Sequence, residues 1–400
     1  MNLRRCVALV FVVLGSGQAA MAGDADTRVA TWATGVTDGG AAFHAQSVRM
    51  IVHPSISGTA PRLRLSNLRS ATPLRVSHAT LGVQATGAAI ATGSLRPLTV
   101  EGKTSFVIPA GEEAWTDPVK MTVTAGHNLV VSLHLPDATA PSTFHLDAFE
   151  TTYATPSGTG DHAADLGAAA FTLTSPSWYD LSAITVVTPG TDTLVAFGDS
   201  ITDGYKTPTS ANARWPDVLA RRLVAAGKPL TAVNAGIGGN RVLTEAPDVV
   251  RGVRALNRFD HDVLSLPRVR IVILFEGIND IGNDAGPDGK PLTAADLIDG
   301  YRQLIQRAHA AGIRILGATL LPCEGAGYFS ESREAIRQDV NTWIRTSGAF
   351  DAVLDFDKAL RDPTHPRRLR AEYDAGDHLH PNAAGMQAIG GSIDIALLLR

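Results

Sequence analysis

From about residue 190 to the end, short apolar runs alternate with amphipathic stretches, and no other feature limits the possible folds so tightly. Leu194–Phe197, Thr231–Asn234, Arg270–Phe275, Ile313–Leu320 and Ala352–Phe356 have strand length. Helical patterns fall between them at Trp215–Ala226, Asp296–Ala311 and Glu331–Thr346, and a last helix is expected from Pro381-Asn382 nearly to Leu399. On Asp296–Ala311 the residues Leu297, Tyr301, Leu304, Ile305 and Ala308 share one face, and Gly312 stops the run. Regular strand–helix alternation predicts a parallel sheet with helices on both faces and right-handed crossovers. Such sheets place ligands outside the carboxyl ends of their strands, so the loops after the strands become the candidate functional positions.

The preceding part has a different pattern. Arg49–His53, Arg62–Leu65, Leu74–Val83, Thr104–Ile108, Val119–Val123, Asn128–Leu135, Phe144–Phe149 and Trp178–Val187 alternate or run apolar over strand lengths, with Gly and Pro between them. No helical period is sustained there. This predicts a β-sandwich, jelly-roll or immunoglobulin-like in general shape, over residues 27–187, with Ala154–Ala170 as a long loop and Pro189-Gly190 as a joint to a second unit at 191–400. Tandem repeats and low-complexity blocks are absent.

The amino terminus reads as a signal peptide at residues 1–22. Arg4 and Arg5 are basic, Cys6–Leu14 is apolar but too short to span a bilayer as a mature helix, and Ala20-Met21-Ala22 suits cleavage after Ala22. The expectation is a secreted or periplasmic protein without stable membrane insertion after cleavage. Cys323 is then the one remaining cysteine, so no internal disulfide is available. It follows a predicted strand and Pro322, and is read as structural rather than as a reactive thiol. The formal net charge of −4, without basic runs, gives no footprint for nucleic acid or anionic membrane.

Four of the strand-end loops carry chemistry. The first strand ends in Gly198-Asp-Ser200-Ile-Thr202, the second in Ala235-Gly-Ile-Gly-Gly-Asn240, and the third in Glu276-Gly-Ile-Asn279-Asp280. Asp377-His-Leu-His380-Pro-Asn precedes the last helix. A serine hydroxyl is a weak nucleophile at neutral pH and needs a base; a histidine three residues beyond an aspartate can supply one, once folding unites the two ends.

These four blocks, in this order, resemble the GDSL, or SGNH, hydrolase family over roughly residues 190–400. The resemblance implies a flavodoxin-like three-layer α/β fold and esterase activity. It makes Ser200 the nucleophile, His380 the general base and Asp377 its orienting carboxylate, with Gly239, Asn279 and the Ser200 amide as the oxyanion hole. Those roles fit the residue types: histidine titrates near working pH, a carboxylate fixes its tautomer, and Gly and Asn supply close backbone and side-chain donors. Gly238 is read as a turn residue, Asp280 as a structural bridge and Asp199 as the holder of the strand-to-loop turn. His378, with His365 or Glu324, has no metal-ligand spacing, and neither metal nor cofactor is expected. His378 is assigned to the pocket rim or the surface, and His261 and His309 to the surface. The Gly-x-Ser-x-Gly elbow of α/β-hydrolases is missing, because Thr202 stands where its second glycine would.

The expected substrate is an ester, foremost O-acetyl groups on an acetylated saccharide, since enzymes similar to this one include carbohydrate esterases. A lipase- or lysophospholipase-type acyl-hydrolase is the alternative. A third reading makes the sandwich a carbohydrate-binding unit, stacking sugars on Trp115, Trp178 and Tyr179, although these aromatics read more simply as core.

Overall fold

The computed structural model describes residues 27–400; the expected signal peptide lies outside them. Antiparallel sheets give way to a parallel one between Val187 and Asp192.

Two antiparallel sheets form the sandwich. One runs Arg28–Ala33, Leu181–Val187, Gly58–Ser66, Thr122–Val123, with Glu113–Trp115 also paired to Gly58–Ser66. The other runs Leu173–Ser175, Thr152–Ala154, Gln46–Val52, Leu129–Leu135, His78–Thr86, Ala89–Ile90, with Arg96–Pro97 also on His78–Thr86. Val48, Met50 and Val52 face Leu63, Leu65, Ile184 and Val186 across the core, as the two-residue period requires. Arg49 points the other way. Its guanidinium donates to the carbonyls of Ala88 and Asp165, each at 2.7 Å, and lies 3.9 Å from the Phe171 ring centroid. The Ala154–Ala170 loop is thereby pinned over the outer face of the sheet. Trp178 and Tyr179 are buried in the core, and Trp32 meets Trp178 edge-on at 4.9 Å. They are not available for sugar stacking.

The parallel sheet has the order Leu230–Gly236, Asp192–Gly198, Val269–Phe275, Arg314–Ala318, Ala352–Leu354. Val195 and Phe197 face one helix layer with Tyr301 and Leu304, whereas Leu194 and Ala196 face the other with Trp215, Leu219 and Ile389. This is the three-layer arrangement, with the strand order reversing between Asp192–Gly198 and Val269–Phe275, where such sheets open a crevice. Helix Ala294–Ala310 starts in a Thr293/Asp296 capping box, and Ser330 caps helix Glu331–Thr346 by accepting from the Arg333 amide.

Several expected elements differ. Leu74–Val83 is two strands, Leu74–Val76 and His78–Thr86, and Trp178–Val187 is interrupted at Asp180, whose φ is 51°. The strand Arg28–Ala33 and the helical segment Ala255–Leu264 had no expectation. The last helix ends at Ser392; extended Ile393 and capping Asp394 separate it from Ile395–Leu398.

The sandwich and the α/β unit share a core. Ala30, Ala33 and Ala183 pack into the same apolar cluster as Val195, Val233 and Phe259. Ser55 Oγ and Thr231 Oγ1 are 2.6 Å apart, and an Arg64 guanidinium nitrogen donates to Ser265 Oγ at 2.6 Å. His261 lies in this contact and is not a free surface group, because both ring nitrogens face carboxylates: Asp262 at 2.7 Å and Glu113 at 3.0 Å. Burial alone would lower its pKa, but the two carboxylates raise it to about 9.

Candidate active site

The loop that carries Ser200 begins at Gly198, where a Cβ would sit 2.3 Å from both the Phe275 carbonyl and Thr202 Oγ1. Only glycine lets the strand turn this tightly against its neighbour. Asp199 accepts from the Ile201 amide at 3.0 Å and starts the short helix Ser200–Asp203. Burial raises the Asp199 carboxyl to about 7. Ser200 is thus presented on the first turn of a helix at the sheet edge, 7% exposed.

His380 arrives from the opposite end of the chain. Its Nε2 is 2.9 Å from Ser200 Oγ, and its Nδ1 is 2.9 Å from Asp377 Oδ2. The other Asp377 oxygen accepts from the backbone N–H groups of Leu379 and His380, at 3.1 and 2.9 Å. Burial pushes the Asp377 carboxyl up, but these N–H groups and the imidazole outweigh it and leave it below the usual range. Burial pulls the His380 pKa down, and nearby Lys206 adds to this; Asp377 pulls it back only in part. A ring that is neutral near pH 7 can accept a proton. The Tyr205 ring packs edge-on against the imidazole at 4.7 Å. His378 turns away: it bonds Asp374 at 2.6 Å and is 53% exposed.

Three donors converge on the cleft. Among the described residues, the backbone N–H groups of Ser200 and Gly239 meet no acceptor. Gly239 has φ 77°, a left-handed conformation that turns its peptide after Gly238. Asn279 Nδ2 donates to the Asn240 carbonyl at 2.9 Å, while its Oδ1 accepts from Tyr328 OH at 3.1 Å. That pairing fixes which end of the amide is nitrogen and leaves its second N–H without a partner among the described residues. Ser200, Gly239, Asn279 and His380 line one open cleft of about 630 Å³ together with Leu146, Asp147, Arg241 and Arg251. Asp280 accepts from the Val242 and Leu243 amides at 2.9 and 3.0 Å, so it braces the neighbouring loop.

The GDSL-like Lipase/Acylhydrolase family matches residues 196–388. That portion, just under half of the chain, is similar to the family. The protein is a carboxylic ester hydrolase. Among solved structures it is similar to a lipase/acylhydrolase from Enterococcus faecalis (21% identity, 50% of this chain and 92% of that one, TM-score 0.37). It is also similar to a GDSL-like lipase from Bacteroides thetaiotaomicron (18%, 52% and 88%, TM-score 0.39) and to an aryl esterase from M. smegmatis (16%, 50% and 95%, TM-score 0.40). No protein among those of curated function matches.

The cleft rests on residues that the motif blocks do not reveal. Buried Arg258 donates to the carbonyls of Gly198 and Ala235, each at 2.7 Å, to Asn240 Oδ1 and Asp262 at 2.8 Å, and to Glu276 at 3.3 Å. It therefore ties together the ends of the strands that lead to Ser200, Gly239 and Asn279. The Gly238 amide donates to Asp203 Oδ2 at 3.1 Å, and Asp203 Oδ1 is 3.0 Å from Nε2 of His145, a sandwich residue. The other His145 nitrogen faces the Gly35 carbonyl at 2.8 Å. Both neighbours are acceptors, so the ring carries two protons. Burial opposes that charge, but Asp203 and the Gly35 carbonyl raise the pKa on balance. His145 had no local signal, since its partners Asp203 and Gly35 lie 58 and 110 positions away. Cys323 is buried, and burial pushes its thiol up to about 11, which suits packing rather than thiolate chemistry. Among the described residues, no group of three His, Cys, Asp or Glu could hold a metal ion, and no helix is long and apolar enough to cross a membrane.

Proposed function

We propose that Ser200, His380 and Asp377 carry a two-step acyl transfer, with the amides of Ser200 and Gly239 and the side chain of Asn279 as the oxyanion hole. The observation that carries this reading is the unbroken chain of 2.9 Å contacts from Ser200 Oγ through His380 to Asp377. Ser200 Oγ attacks the ester carbonyl as its proton passes to His380 Nε2. The tetrahedral oxyanion lies on the three N–H donors. The C–O bond to the alcohol then breaks and His380 returns the proton to the leaving oxygen. Water, deprotonated by His380, attacks the acyl-enzyme and releases the acid and Ser200.

For the substrate, we infer O-acetyl groups on a polysaccharide or oligosaccharide. Charged Asp147, Arg241, Asp248 and Arg251 line the cleft beside Ser200. A long acyl chain would strip water from those charges without replacing their hydrogen bonds, whereas a sugar can replace them. The Arg4–Ala22 pattern supports export, and the change from antiparallel to parallel sheets supports units at 27–187 and 191–400.

Fluorophosphonate labelling with peptide mapping should modify Ser200. Ser200→Ala should fold normally and lose at least ~10³-fold in turnover of an activated acetyl ester. Substantial turnover by purified Ser200→Ala would remove the assignment. Acetylated xylo-oligosaccharides should be better substrates than p-nitrophenyl esters of long acids; a rising rate with acyl length would favour lipid esters instead.

A further inference from the structure

The sandwich puts one charged side chain into the catalytic cleft. Asp147 follows the strand Phe144–His145 and lines the cleft with Ser200, Gly239 and His380. A Cβ on Gly238 would lie 2.9 Å from Asp147 Oδ2, so the carboxylate stands directly against the loop that carries Gly239. The backbone on either side is held. The Asp147 carbonyl faces His145 Nε2 at 3.3 Å, the Ala148 amide donates to the Pro176 carbonyl at 2.8 Å, and Arg214 bonds the Ala148 carbonyl. Yet among the described residues the carboxylate accepts no hydrogen bond, and Arg251 and His145 act on its charge only from beyond ion-pair distance. Arg241, which follows the Gly238–Asn240 loop and lines the same cleft, has a guanidinium that donates no hydrogen bond among the described residues, with its Nε buried and Asp280 acting on its charge from farther off. An acceptor and a donor without hydrogen bonds thus line the same cleft as the serine. Half-buried polar groups gain most from a ligand that restores their hydrogen bonds.

We propose that Asp147 and Arg241 form a hydroxyl-binding subsite for the alcohol part of the ester, with Asp147 accepting from one hydroxyl and Arg241 donating to a neighbouring one. The ligand class is a polyhydroxylated alcohol, such as a sugar ring. The sandwich therefore supplies specificity to the catalytic site rather than binding a remote glycan. This inference rests on the serine-esterase reading above and deepens its substrate assignment.

The test compares 2,3-dihydroxypropyl acetate with propyl acetate, two esters with the same carbon chain, in the wild-type protein and in Asp147→Ala, Asp147→Asn and Arg241→Met. The readout is the ratio of their kcat/KM values, because a general loss of folding or activity moves both terms alike. The wild-type protein should favour the dihydroxy ester by about tenfold or more, the gain expected for hydrogen bonds to charged groups. Asp147→Ala and Arg241→Met should each bring the ratio to within about threefold of unity, and the isosteric Asp147→Asn should fall between. A wild-type ratio near one, or a wild-type ratio preserved in Asp147→Ala, overturns the subsite. If neither ester is cleaved, the esterase reading falls and the subsite with it. If the ratio behaves as expected but acetylated xylo-oligosaccharides are not cleaved, the subsite stands and the saccharide assignment falls.

Discussion

Replacing Asp377 by asparagine isolates the electrostatic part of the proposed triad. One Asp377 oxygen anchors the loop through the Leu379 and His380 amides, and the amide oxygen of asparagine can keep both bonds. The other oxygen faces His380 Nδ1 at 2.9 Å. An NH₂ group in that place is a donor, so Nδ1 must accept and the ring proton moves to Nε2, the atom that has to take the serine proton. The charge is lost as well. With about 4 Å between imidazolium and carboxylate centres and an effective dielectric of about 20, the attraction is about 4 kcal/mol. Asp377 is 33% exposed, and solvent screening reduces the contribution to about 2–4 kcal/mol, or about 30- to 10³-fold in kcat/KM. The assay is kcat/KM for p-nitrophenyl acetate across pH. Asp377 raises the His380 pKa against the effect of burial, so its removal lowers that pKa further and shifts the acid limb to lower pH. An Asp377→Asn protein within about threefold of wild type, with an unmoved acid limb, would refute the reasoning.

Asn279→Ala should lose about 10²- to 10³-fold, mostly in kcat, because its free N–H meets the oxyanion only as charge develops; an effect confined to KM would argue against that role. Arg258→Met removes the cation from buried Glu276 and one of the two from Asp262, which keeps His261, and should cost about 3–5 kcal/mol, read as a fall in the thermal midpoint of about 5 °C or more. The His145 pKa is raised in the folded state. Its stabilising contribution is therefore complete below the unfolded value, about 6.5, and is lost as pH rises through the folded one. The gap in thermal midpoint between the wild-type protein and His145→Asn should be widest in acid and close in alkali, and a gap constant with pH would mean that the ring is neutral.

The strand ends, the order of the four blocks and most helix limits were legible in the sequence. Each rests on local rules: apolar runs of strand length, a 3.6-residue period, and a glycine stop at Gly312. The position of Ser200 after a buried strand follows from that pattern, as does Asp377 three residues before His380. His378 and His380 could not be separated in this way, since both stand close to carboxylates along the chain; the αL backbone of His378 and its bond to Asp374 turn it outward.

What only the tertiary structure decided is how the two halves meet. Arg258 collects carbonyls from two strand ends, His145 reaches Asp203 across 58 positions, and Asp147 stands against Gly238. A side chain whose partners are remote leaves no periodicity or spacing behind, because periodicity reports only the face of its own element. The sequence by itself determined which groups could do chemistry and on which strand ends they stand. Their shared cleft, and the share of it contributed by the sandwich, came from packing between elements that no local rule connects.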